Sequence, residues 1–288
     1  MIDIGSSWDP FDRVKETISN LRYLDTLDEG GTANFSKCEF ARPISVVPLA
    51  MVAVGKSLQF SQSSSYLDTI KFPRGEEIEG YTHEGDTYFP ITRADLNNFS
   101  DKERDEKLSE LINKYTSLLQ RNIDKDREFS RRLGKNVSAL LLSEMIDNIE
   151  QHSSASRAFI FSQYWQQNSS CEICLTDNGK GIYKSLIEAG RDVENDLDAM
   201  EKVITEYLSS KDEFGDSNRG TGIKNTIKVL SNHELNGYFC IISNSAGYYI
   251  DNERGHFLNL QNFSLNGTMV VMGFQKPKTK FDIYDYIN

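Results

Sequence analysis

Residues 170–182 read SCEICLTDNGKGI, and the way this stretch folds decides the reading of the whole chain. It reads as an apolar strand that ends at Asp177 and runs into Gly179 and Gly181. Glycines let the backbone approach a flat ligand closely, and a carboxylate at a strand end can accept a hydrogen bond from an exocyclic amine such as that of adenine. Taken alone, a DxGxG can also be a simple turn. Cys171 and Cys174 also form a CxxC here. Residues three apart on a strand face opposite sides, so one metal cannot easily take both, and buried thiols are the better expectation.

Outward from this strand, the flanking segments alternate between apolar strands and helices. Upstream lie a helix over about 129–152, charged at first and then apolar through VSALLLSEMI, and a strand at ASRAFIFSQYW. Downstream come helices around Asp196–Leu208 and Gly222–Leu230, then strands at YFCIISNS, YYI and TMVVMGF. An antiparallel sheet backed by helices on one face fits, which makes this part α+β. Further upstream, ANFSKCEF and YFPIT read as strands. ISVVPLAMVAVGKSL reads as an apolar helix with Ser45 near its start and Pro48 in its first turn. SQSSS and GEEIEGYTHEGD read as exposed loops between them. Leu108, Leu111, Ile112, Tyr115, Leu118 and Leu119 have helical spacing in a charged segment. The expected division is a small α/β unit over 1–98, a helical connector over 99–128, and a second domain over 129–288, two domains being usual for 288 residues.

Three further motifs accompany the DxGxG. In SEMIDNIEQHS, Glu144, Asn148 and His152 recur every four residues, and each such step turns about 40° around a helix axis, so all three share one face. A polar stripe on an apolar helix demands a partner, such as a nucleotide with its metal, unless it faces water. SNRGTGIKNTIKVL sets Gly220 and Gly222 just ahead of a helix, whose free N–H groups and dipole favour phosphate, with Lys211 and Arg219 nearby. LNGTMVVMGF opens an apolar strand with Gly267 and Thr268, which by itself is a hairpin signal.

The joint order, E-x3-N-x3-H, DxGxG, GxG before a helix, then GT before a strand, resembles the boxes of the GHKL ATP-binding superfamily over about residues 129–276. SExxxNxxxH is most similar to its anti-sigma-factor kinase and stand-alone ATPase branch. The resemblance implies a Bergerat-type sandwich, a mixed sheet backed by helices, that binds ATP and Mg2+. It gives Glu144 the role of general base and Asn148 that of magnesium ligand. Asp177 would hold the adenine amine, with Gly179, Gly181, Ile182 and Thr268 about the base. Gly220, Thr221, Gly222 and Ile223 would face the phosphates, and YLSSKDEFGDSNRG, with Lys211 and Arg219, would form the ATP lid. His152 caps or packs its helix. On a looser pattern, CEFARP, ISVVPLAMVAV and SSYLDTIKFP followed by YFPIT resemble a STAS-like domain, without its DSxG-like turn; Ser45 is the one serine near that place.

Composition narrows the functions. A net charge of -11 argues against general nucleic-acid binding, which draws its affinity from Lys and Arg on phosphates. Met1 to Pro10 lacks the pattern of a secretory signal, and no run reaches the ~20 apolar residues of a membrane span, so a cytoplasmic protein is expected. The leading function is ATP hydrolysis, or transfer of the γ-phosphate to a serine or threonine of a protein, regulating a partner. The alternative is a nucleotide-gated interaction module with little turnover. A sensor histidine kinase is disfavoured, since residues 101–150 contain no histidine and His83 lies in an acidic loop. Few residues follow Phe274, so the transducer domain of gyrase-like relatives is not expected. Phosphate acceptor and partner stay open, and a homodimer is admitted but not demanded.

Overall fold

The computed structural model describes residues 2, 7, 9–35, 38, 41–61, 64–77, 88–97, 100–133, 141, 155–209, 221–252 and 254–286. Its centre is a mixed eight-stranded sheet. The strands are β3 (Glu76–Glu77), β4 (Tyr88–Asp95), β5 (Arg157–Trp165), β6 (Ser170–Asp177), β7 (Tyr238–Asn244), β8 (Ala246–Ile250), β9 (Gly255–Asn259) and β10 (Leu265–Gln275). They run in the spatial order β3-β4-β5-β6-β10-β7-β8-β9, antiparallel throughout except for the β3–β4 pair. A separate parallel pair joins β1 (Thr32–Ala33) to β2 (Gln59–Phe60). The expected strands over ASRAFIFSQYW, SCEICLTD, YFCIISNS, YYI, TMVVMGF and YFPIT are all present, and β9 adds to them.

Helices cover both faces of this sheet, where cover on one was expected. On β6, alternate side chains divide: Cys171, Ile173 and Leu175 enter one hydrophobic core, and Cys174 enters the other. The first core also takes residues of α4 (Asp101–Lys125), α5 (Arg127–Leu133), α7 (Asp196–Thr205) and α8 (Thr221–Leu230). The second takes α1 (Pro10–Asp25) and α2 (Pro43–Gly55), with the short α3 (Ser65–Thr69) beside them. The reason lies in the strands themselves. Phe159, Phe161, Cys240, Ile242, Met269 and Val271 face the second core while Ala158, Ile160, Phe239, Ile241, Val270 and Met272 face the first. A sheet this apolar on both sides leaves a whole face in water unless both are covered, at roughly 25 cal/mol per Å2 of apolar surface.

The cover on the second face comes from the segment expected to stand alone. Among the described residues of 1–98, β4 pairs with β5 of the main sheet, and α1 and α2 share one core with β5, β6, β7 and β10. The expected connector is likewise packed on the sheet: Tyr115 Oη of α4 lies 3.0 Å from the carbonyls of Pro90 and Ile160 and 2.9 Å from Thr92 Oγ1. Helix α1 adds to the expected elements, with Asp9 accepting from the Asp12 amide as N-cap and Pro10 in the first turn. Helix α2 begins at Pro43, so Pro48 sits inside it and not in its first turn. Proline has no N–H for the Ile44 carbonyl four residues back. Thr17 Oγ1 of α1 donates to that carbonyl at 3.5 Å, so the neighbouring helix supplies the missing bond.

Candidate functional site

The register of β6 on β10 pairs Asp177 with Thr268, so the DxGxG and GT motifs meet at one end of the sheet. Asp177 is 1% exposed and lies on the side of Ile173 and Leu175, facing the layer of α4, α5, α7 and α8. Its Oδ1 accepts from the Gly179 amide at 2.7 Å, and the Thr268 amide also points to the carboxylate. Burial outweighs these donors and pushes its pKa up to about 7. A group so poised accepts hydrogen bonds in both states and donates one when protonated, which suits the polar edge of a flat ligand.

The glycines here are demanded by close approach. Gly267 has φ +112°, and a Cβ on it would lie 2.0 Å from the Asp177 carbonyl oxygen. Gly181 has φ +78° and opens helix α6 (Gly181–Glu188); a Cβ there would lie 1.8 Å from Asn244 Oδ1. Two residues outside the motifs tie them together. Ser243 Oγ accepts from the Ile182 amide at 2.8 Å and lies 3.2 Å from Thr268 Oγ1, while Asn244 holds the space beside Gly181. Both sit in YFCIISNS, where a strand giving way to Ser-Asn was the available signal. Asn178 completes the turn, its Oδ1 accepting from the amides of Ser156 and Arg157 at 3.0 and 2.8 Å.

Helix α8 approaches this end from the same face. Its Ile223 packs with Ile182 against Leu186 of α6, Val193 of the connection, and Ala199 and Val203 of α7. Gly222 lies in its first turn, and Thr221 is its first residue. Asn225 Oδ1, one turn later, is buried with no hydrogen-bond partner among the described residues. Asp177, Gly179, Gly181, Ile182, Gly222, Ile223 and Thr268 are therefore set on one face and end of the sheet. Glu144, Asn148, His152, Lys211, Arg219 and Gly220 lie outside the described residues, as does most of the expected lid. Leu141, three residues before Glu144, is buried in the core that Asp177 faces.

Among the described residues no group of three His, Cys, Asp or Glu side chains could hold a metal. The four cysteines are buried and free, and Cys171 and Cys174 fall in opposite cores, so the CxxC is no metal clamp. No helix of the described residues is long and apolar enough to cross a membrane. Comparison with models of protein families, with curated proteins and with solved structures finds no match.

Proposed function

We propose that the Asp177 end of the sheet is an ATP site of the GHKL kind, where the chain hydrolyses ATP or passes its γ-phosphate to a serine or threonine of a partner protein. One observation carries this: the β6–β10 register brings a buried Asp177 from DxGxG against Thr268 from GT, two motifs about ninety residues apart in the chain. Asn225 Oδ1, without a hydrogen-bond partner among the described residues, and the start of α8 just after Gly220 in the sequence fit a polar ligand at the same end. In this proposal Asp177 accepts from the adenine amine and Gly181 and Thr268 border the base. The start of α8, with Gly220, Thr221 and Gly222, receives phosphate. Glu144 takes the proton of the attacking hydroxyl. Asn148 would hold Mg2+, which when bound supplies positive charge to the phosphate oxygens. The proposal does not extend to a STAS-like unit over 1–98, because that segment shares its sheet and core with the rest of the chain.

Incubation with γ-labelled ATP and Mg2+, with and without cell lysate, tests the proposal. Label on free phosphate or on a protein, lost in Glu144→Ala while ATP still binds, is the expected result. Binding without turnover in the unaltered chain favours the nucleotide-gated module. No binding at millimolar ATP by calorimetry sinks both.

A further inference from the structure

Helix α7 starts in the sequence NDLD, and the three polar side chains there have separate partners. Asn195 caps the helix, its Oδ1 accepting from the amides of Leu197 and Asp198 at 3.0 Å. Asp198 stays within its own segment, its Oδ2 accepting from the Glu194 amide at 2.8 Å and from Lys202 Nζ at 3.0 Å. Asp196 instead reaches another element. Its Oδ2 accepts from the Ser245 amide at 3.1 Å and from Ser245 Oγ. Because Asn195 already supplies the cap, the Asp196 carboxylate is not needed to finish the helix, and its charge-assisted bonds go to a turn 49 residues further on.

That turn, Asn244–Ser245, joins β7 to β8 beyond the pair of Ser243 with Ala246. It is also where the candidate site is tied together. Ser243 Oγ holds the Ile182 amide, neighbours Thr268 Oγ1 and donates to Asn244 Oδ1 at 3.3 Å. Asn244, at φ +53°, takes a left-handed conformation that asparagine tolerates, and its Oδ1 lies where a side chain on Gly181 would stand. Opposite these two residues the pairing with β10 slips between Leu265 and Thr268, and the slipped stretch carries Gly267 against the Asp177 carbonyl. Such a slip interrupts the ladder, so the strand itself fixes the turn less firmly than a regular pair would. Two contacts from outside this pairing hold it. The Leu260 amide donates to the Ser245 carbonyl at 2.8 Å from the sheet side, and Asp196 takes the Ser245 amide and hydroxyl from the helix side.

We propose that Asp196 is a positioning residue for the base: it clamps Ser245 to the start of α7 and so sets Ser243 and Asn244 against Thr268 and the Gly181–Ile182 turn. The proposal rests on the reading of the Asp177 end as an ATP site. Asp196 acts through Ser245 and not on the base. Its loss is therefore felt by any ligand that carries adenine, with or without phosphates, and not by the phosphate contacts at the start of α8.

Calorimetry on the full chain with adenosine, and with ATP and Mg2+, tests this. Asp196→Ala is expected to weaken both ligands by the same factor, about tenfold. Asp196→Asn keeps an acceptor and should lose only about threefold. Ser245→Ala reads the same link without altering the helix and should also cost about threefold, but nothing further when added to Asp196→Ala, whose partner is already gone. Lys202→Ala breaks the ion pair with Asp198 on the same helix and controls for a general loosening of α7. Its adenosine affinity should stay within about twofold of the unaltered chain whatever its melting temperature. A loss in Lys202→Ala as large as that in Asp196→Ala would make the effect one of helix stability and overturn the proposal. So would adenosine bound by Asp196→Ala and by Ser245→Ala as tightly as by the unaltered chain, a result that leaves the ATP site itself standing. Absence of adenosine and ATP binding to the unaltered chain overturns the site and its positioning residue together.

Discussion

The two ends of β6 bury charge in different ways. At Ser170–Glu172 a carboxylate is neutralised by two arginines brought from α1 and from the residue before α2. At Asp177, five residues on from Glu172 and about 17 Å away along the strand at ~3.3 Å per residue, a carboxylate is buried against backbone amides with no cation beside it among the described residues. The first arrangement is an ion-paired cluster that joins two layers. The second leaves a carboxylate whose ionised form is served only by backbone amides among the described residues, as the proposed contact with a base requires.

The comparison breaks most visibly at Glu172. Glu172→Gln keeps an acceptor for the Ile44 amide but takes from Arg13 and Arg42 the buried charge that they share. Removing one partner of a buried pair costs about 3–5 kcal/mol, so urea denaturation should register a loss of that order. A loss under about 1 kcal/mol, the worth of an exposed pair, would mean that water reaches the cluster and that the two ends are alike.

Gly267→Ala attacks the other end through its backbone. The added Cβ would stand 2.0 Å from the Asp177 carbonyl oxygen, a backbone atom that cannot swing away, at φ +112°. The expected cost is about 3 kcal/mol, from strain and displacement of β10 against β6. Thermal unfolding reads it, and an unchanged melting temperature would show that the pairing of Thr268 with Asp177 yields easily.

These two ends were not equally legible in the sequence. Asp177, Gly181, Gly267 and Thr268 announce themselves because backbone needs select glycine at fixed offsets from strand ends. The cluster at the other end gathers Arg13, Arg42, Glu172 and Tyr238 from four separate segments, and nothing local in DRVKE or FARP marks a buried arginine. The strands were likewise legible one by one, down to the opposite facing of Cys171 and Cys174. What covers their second face was not, because apolar character on both sides of β5 states a need without naming the segment that meets it. The N-terminal residues answered that need, which is why an α/β stretch that looked self-contained in sequence is part of the same sheet.

Asp177→Asn should move stability in the opposite direction to the first two changes. The folded pKa of about 7 lies above the ordinary 3.8. The protein therefore has its full stability from this group below pH about 4 and loses it as pH rises through 7. Asparagine keeps the shape and an acceptor for the Gly179 amide without a charge to desolvate. The variant should gain about 1–3 kcal/mol over the unaltered chain at pH 8 and nothing at pH 4, with adenosine binding reduced tenfold or more. Adenosine, measured at pH 8, is the probe because it lacks phosphates whose charge would complicate the comparison. Equal stability at both pH values would place the ionised carboxylate in contact with water and remove the contrast between the ends.

The smallest effect is expected at Ser243, and it separates the site from its scaffold. Ser243→Ala removes the acceptor of the Ile182 amide and the neighbour of Thr268 Oγ1. Its own backbone pairing with Thr268 is untouched. A lost hydrogen bond of this kind costs about 1 kcal/mol, so the fold should persist with a slightly lower urea midpoint. The turn that starts α6 would keep the Gly179–Asp177 and Ser185–Gly181 hydrogen bonds and the packing of Asn244 on Gly181. If Ser243 positions the Gly181–Ile182 turn and Thr268 for a base, adenosine affinity should fall about fivefold, roughly the same 1 kcal/mol, and Ser243→Thr, which restores the hydroxyl, should recover part of it. A stability loss without any change in adenosine binding would make Ser243 a packing residue and would leave Asp177 to recognise the base without it.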